Sequence, residues 1–209
     1  CGPFDPRVVG IGDASAGLCG GMVMTVRDLF EAGIRMPPAA EPPAQGTRRF
    51  RAIVRRQVES LDWLRVPLRF YDLGAFRPDP PTRLSAALRR APRRVVAVGD
   101  EWPRIRADIE AGRAPIVGLV RVASSSPRQL TLNHQVLAFA YEEDAGGFTV
   151  RIYDPNHPGD DGVELVARVD PAGTGLAPER IRLAQSTGEP LLGFFRQRYS
   201  PGRTLAAWR

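Results

Sequence analysis

From Cys19 the apolar positions Met22, Val23, Val26, Leu29 and Phe30 recur every three or four residues up to Gly33. That spacing predicts a helix with one buried face and a glycine stop. A longer amphipathic stretch, from Thr47 to Leu64, sets Phe50, Ile53, Val54, Val58, Leu61 and Leu64 on one side. At about 100° per residue its arginines, Arg48, Arg49, Arg51, Arg55 and Arg56, fall opposite them. Glu59 and Asp62 lie among these arginines, the pattern of a solvated, salt-bridged face. Between the two helices Met36 to Pro43 reads as a Pro/Ala-rich connection, and Pro67, Pro78, Pro80 and Pro81 punctuate a loop after the second. Thr82 to Arg90 is expected to form a short helix. Asp100 to Ala111 forms another, with Trp102 and Ile105 on its buried side and Pro103 in its first turn.

The periodicity then changes. Pro115 to Val122 is a continuous apolar run, expected as a buried strand, and a serine-rich loop, Ala123 to Arg128, follows it. Thr131 to Tyr141 reads as a strand ending in the acidic, glycine-rich turn Glu142 to Gly147, and Phe148 to Tyr153 as its hairpin partner. Pro155 stops that strand at Asp154. Val163 to Val169 and Leu191 to Tyr199 complete the expected sheet. Helices followed by a largely antiparallel sheet is an α+β arrangement, with the cysteine helix of the N-terminal part packed on the sheet and a cleft where they meet. The chain's 209 residues and 43% hydrophobic content suit a single domain, residues 1–209, in a helical lobe of about 1–112 and a sheet lobe of about 113–209.

Candidate chemistry starts at Gly17-Leu18-Cys19-Gly20-Gly21-Met22. At a helix N-terminus the unpaired N–H groups and the positive end of the dipole favour a thiolate over a thiol. Gly20 and Gly21 remove side chains that would crowd a substrate carbonyl. The competing reading makes Cys19 a small buried hydrophobe, with the glycines serving close helix packing. If the two strands fold back about the turn near Asp144 to Gly147, His134 and Asp154 lie near one open end. Asp154 or Asn156 then accepts the imidazole N–H, and the other ring nitrogen faces Cys19. Asp154 is the expected partner, because it continues directly from its strand while Asn156 lies beyond Pro155. His157, the other histidine, is expected to be a solvated loop residue.

The order Cys, His, Asp/Asn resembles the papain-like cysteine peptidase superfamily. Gly17 to Met22, Asn133-His134-Gln135-Val136-Leu137-Ala138 and Tyr153-Asp154-Pro155-Asn156-His157-Pro158-Gly159-Asp160-Asp161 are similar to proteins grouped near the double-glycine leader peptidases of bacteriocin exporters. The resemblance implies a papain-like fold, Cys19 as nucleophile, His134 as general base and Asp154 as the acid that orients it. It implies a peptide or amide substrate and no cofactor. One position departs from the pattern: the relatives carry an oxyanion-binding glutamine six residues before the nucleophile, and Asp13 stands there. A carboxylate opposes an oxyanion, so an active enzyme should have Asp13 turned away or protonated, with Ser15 the expected side-chain donor beside the Cys19 N–H. The runner-up activities are a transglutaminase-like acyl transferase and a catalytically silent protein that binds a peptide or lipid in the cleft.

Charge and the remaining motifs change little. The formal charge is +6 and all 29 basic residues are arginine, which fits a GC-rich coding bias better than a nucleic-acid signature, and no nucleic-acid reading motif accompanies it. Asp154, Asn156, Asp160 and Asp161 supply oxygen atoms but lack the later bidentate glutamate of a calcium loop, and the histidines and cysteines are too few for an ordinary zinc site, so no metal is expected. No apolar run approaches the ~18 residues of a membrane span. The chain opens on Cys1 rather than methionine, which is expected to reflect loss of an upstream segment. Compartment and oligomeric state are not encoded in any motif.

Overall fold

The computed structural model describes residues 18–35, 43–203 and 205–208. Cys1, Asp13, Ser15 and most of the Met36 to Pro43 connection lie outside the described residues. The architecture is α+β: helices come first, and a curled antiparallel sheet of six strands follows.

Helix α1 (Cys19–Glu31) starts where the apolar pattern predicts. Helix α2 (Arg48–Ser60) is capped by Thr47, whose hydroxyl accepts from the Phe50 N–H at 3.2 Å. It ends four residues before the predicted Leu64, because Asp62, Trp63 and Leu64 take left-handed φ values of 40°, 51° and 72°. Helix α3 (Arg65–Tyr71) then runs where the prolines suggested a loop; Pro67 lies in its first turn, where a missing N–H removes no helical hydrogen bond. Thr82 caps the short α4 (Arg83–Ala87). A single turn, α5 (Arg93–Val95), continues through the wide turns of Val96–Glu101 into α6 (Trp102–Glu110).

The strands are β1 (Ile116–Val120), β2 (His134–Asp144), β3 (Gly147–Tyr153), β4 (Glu164–Val169), β5 (Ile181–Gln185) and β6 (Gly193–Arg196). Their order across the sheet is β5-β4-β3-β2-β1-β6. The hairpin is the expected one, with Asp144 opposite Gly147 and Leu137 opposite Tyr153. Two boundaries differ from expectation. β2 begins at His134 rather than Thr131, since Pro127–Leu132 coils into 3₁₀ turns. β5 is a strand that the hydrophobic pattern does not announce, because only Ile181 and Leu183 mark its inner face.

Alternation along the strands divides the core. Val117, Leu119, Val136, Ala138, Phe148, Val150 and Ile152 face inward with Trp102 and Ile105 of α6. Trp102 stacks on Phe148 with ring centroids 3.9 Å apart, and its indole N–H donates to Glu143 at 2.9 Å. The other face of the sheet carries Ile116 and Leu137 against Val23 and Met24 of α1, and Val120 and Phe195 against Val66 and Phe70 of α3.

The buried face of α2 is a correction. Ala52, Ile53, Arg56, Gln57 and Ser60 turn inward, while Val58 and Leu64 are 53% and 62% exposed. Arg56, expected in a solvated basic face, is buried because α1 presents Asp28 to it. Its Nε lies 2.8 Å from Asp28 Oδ2 and its Nη2 donates to Oδ1 at 3.0 Å. The Tyr199 hydroxyl and the Gly202 N–H complete the shell of Asp28 at 2.8 and 3.0 Å. Three donors thus converge on Oδ1 while the guanidinium charge stands beside Oδ2, which lets the buried carboxylate stay ionised. Phe30, assigned to the buried stripe of α1, is 53% exposed.

Candidate functional site

Cys19 is the first residue of α1, so its side chain stands where helical N–H groups lack helical acceptors. The Met22 N–H closes the first turn on the Leu18 carbonyl at 2.9 Å, and the Gly21 N–H donates to Gln57 Oε1 of α2 at 2.6 Å. Among the described residues this leaves the N–H groups of Cys19 and Gly20 without an oxygen acceptor at the helix mouth, the Gly20 N–H turning to the Cys19 sulfur. The two glycines serve close packing. A Cβ on Gly21 would lie 2.3 Å from the Ile53 carbonyl oxygen, and one on Gly20 would lie 2.2 Å from Gln135 Oε1 and 2.5 Å from Ser60 Oγ. This approach lets the N-terminus of α1 press against the start of β2. Cys19 itself is only partly buried.

His134 opens β2 on the inward face of the sheet, in step with Val136 and Ala138, whereas Gln135 turns toward α1. The preceding residue, Asn133, fixes this start: its Oδ1 accepts the Arg121 N–H at 2.9 Å, and its own N–H closes on the Leu130 carbonyl at 3.1 Å. Asp154 follows β3 on the same inward face and is fully buried. Its Oδ1 lies 2.6 Å from His134 Nε2. Twenty residues of sequence separation therefore close through the hairpin, and the ring nitrogen left for the thiol is Nδ1. Asn156 is not the partner of His134 here; its backbone N–H donates to Asp154 Oδ1 at 2.8 Å. His157 is less free than expected, with Nε2 2.9 Å from Glu189 Oε1.

Three residues that sequence reasoning did not single out complete the surroundings. Gln185, the last residue of β5, donates from Nε2 to Asp154 Oδ2 at 3.0 Å. Arg121, just past β1, donates from Nη2 to Gln185 Oε1 at 2.9 Å and stands 3.8 Å from Asp154 Oδ2. Glu189 lies 4.0 Å from the same guanidinium. The signal for Gln185 was a polar residue at the inward phase of a strand, legible only once Ile181 and Leu183 are read as one face. Asp13 and Ser15, the residues expected to shape an oxyanion site, lie outside the described residues.

These contacts fix the ionisation. Burial alone would push the Cys19 thiol up, but the hydrogen bond and charge of His134, aided by the backbone N–H groups of Gln135 and Gly20, bring it below its ordinary value. Burial would likewise depress His134, yet its hydrogen bonds to Asp154 and Cys19 push it up to about 9. For Asp154 burial works upward, and the His134 hydrogen bond and charge, the Asn156 N–H and the Arg121 charge hold it below the usual carboxylate range. The arrangement favours a thiolate facing an imidazolium that is held by a carboxylate.

Among the described residues no group of three or more His, Cys, Asp or Glu side chains is disposed to hold a metal ion. Asp154 is filled by its own partners, and Asp160 accepts the Gly162 N–H at 2.9 Å. No helix among them is long and apolar enough to cross a membrane. No protein-family model, curated protein or solved structure matches the chain.

Proposed function

We propose that the protein is a papain-like thiol hydrolase, a cysteine peptidase or related amide-cleaving enzyme in which Cys19, His134 and Asp154 form the triad. The observation that carries this reading is the His134 imidazole, held through Nε2 by a fully buried carboxylate at 2.6 Å, with the Cys19 thiol at a helix N-terminus near enough for the two titrations to be coupled.

The chemistry follows from the ionisation. The Cys19 proton resides on His134 before substrate arrives, so the thiolate attacks the carbonyl carbon directly and the carbonyl π pair moves onto oxygen. The Cys19 N–H, free of helical partners, is placed to donate to that oxygen. Collapse of the tetrahedral adduct expels the amine, which takes the proton from imidazolium, and leaves a thioester on Cys19. Neutral His134 then removes a proton from water, the hydroxide adds to the thioester, and the carboxylic acid leaves as the thiolate re-forms. Asp154 holds the ring in orientation and stabilises its charge throughout.

The test is a proteome-derived peptide library incubated with the protein in water enriched in heavy oxygen and read by mass spectrometry. The hydrolase reading expects new C-termini carrying the label, absent with Cys19→Ala. New amide bonds to an added amine without labelled acid would instead identify the acyl transferase, and intact peptides throughout would leave a binding protein.

A further inference from the structure

We infer that Gln185 is a positioning residue of this site: its amide is a neutral spacer that keeps the Arg121 guanidinium off Asp154, so that the carboxylate's charge is committed to His134. The inference rests on the triad reading for its catalytic consequence, although its geometry stands on its own contacts.

Gln185 is buried, and its amide orientation is settled by its neighbours. Arg121 can only donate and an ionised Asp154 can only accept. The side chain must therefore turn Oε1 toward Arg121, at 2.9 Å, and Nε2 toward Asp154, at 3.0 Å. A guanidinium is the strongest partner that a carboxylate can meet, and in direct, two-point contact it would draw the Asp154 charge away from the imidazole. With the amide interposed, Arg121 stops 3.8 Å from Oδ2, beyond hydrogen-bond range, while His134 holds Oδ1 at 2.6 Å. The Arg121 Nη2 also lies 4.0 Å from Glu189, which in turn meets His157. The arrangement supplies Asp154 with a second cation at a distance that keeps it ionised without replacing the histidine. The other ionisable groups facing this cluster are Cys19 from α1 and Tyr153 from β3.

The test is the titration of His134 by the NMR shift of its ring protons. The chain has two histidines, so a His157→Gln variant assigns the signals. In Gln185→Leu, Arg121 is released onto Asp154, and the His134 midpoint falls by about 1 pH unit. In Gln185→Leu/Arg121→Met the midpoint returns to or above the wild-type value. Arg121→Met alone raises it, which keeps the test available should Gln185→Leu fail to fold. A midpoint unmoved in Gln185→Leu, an equal fall in the double variant, or no rise in Arg121→Met would each overturn the spacer role. Iodoacetamide alkylation of Cys19 in the same samples separates the two claims. An activated thiol without this titration pattern sinks the spacer and leaves the triad, whereas the pattern without peptide cleavage leaves the spacer and sinks the hydrolase.

Discussion

Replacing Asp154 with asparagine preserves shape and removes one charge, and the surroundings dictate the outcome. Asp154 accepts from His134 and Asn156 on Oδ1 and from Gln185 on Oδ2. An asparagine that keeps its oxygen toward His134 points its NH₂ at the Gln185 NH₂; one that turns over points it at the imidazole. Either way a donor meets a donor, and the imidazolium loses its counter-charge. Losing an opposite charge at this range moves the partner by about 1–3 pH units. His134 then descends from about 9, and the Cys19 thiolate at neutral pH descends with it. The expected result is an iodoacetamide alkylation rate at pH ~7 that is about 10- to 100-fold below wild type. The two rates converge above pH ~9.5, where bulk hydroxide makes the thiolate in both proteins. Circular dichroism checks that the variant is folded. Superimposable rate profiles for folded wild type and Asp154→Asn would refute the claim that this carboxylate sets the ionisation of the pair.

Three further outcomes follow from the packing and the charges. Where the folded pair holds its single proton on His134 rather than on Cys19, it binds as many protons as the unfolded chain does between the ordinary histidine and cysteine values, so the pair gives denaturation midpoints no slope there. Cys19→Ser removes that compensation together with the thiolate's share of the His134 elevation; the share from Asp154 remains, so the His134 contribution, full below pH ~6.5, is lost as pH rises through a folded value raised less than in wild type, and urea midpoints decline over that narrower range. Gly21→Ala drives a methyl into the Ile53 carbonyl oxygen 2.3 Å away and should cost about 1–3 kcal/mol by urea denaturation. Asp28→Ala leaves buried Arg56 with Glu59 as its remaining carboxylate and should cost about 1.5–3 kcal/mol, whereas Asp28→Leu/Arg56→Met recovers most of the loss on the same assay.

The sequence made the site legible where local chemistry and turn geometry suffice. Cys19 is marked by the onset of a helical period, and His134 and Asp154 by strands that share one acidic hairpin turn. What escaped the pattern depends on tertiary pairing. Arg56 has the charge of a surface residue and is buried because Asp28 sits across from it on another helix, a partnership that no count of apolar positions reveals. β5 carries two inward apolar residues and a glutamine, too little alternation to separate a strand from a loop, although that glutamine reaches Asp154. The left-handed residues Asp62, Trp63 and Leu64 end α2 without a glycine or proline to announce it. Of the two readings of Gly20 and Gly21, the close-packing one takes form in the tight approach of α1 to α2 and β2.

The account turns on Cys19 being a nucleophile activated by His134, and the direct measurement is intact-protein mass spectrometry after brief exposure to an activated acyl ester. The account predicts one acyl group per chain within the first turnover, located on Cys19, stable in denaturant, and released by hydroxylamine as a thioester is. Cys19→Ala should carry none, and His134→Ala should acquire it at least about 100-fold more slowly at neutral pH. Acylation of Cys19 at equal rates in wild type and folded His134→Ala would contradict it.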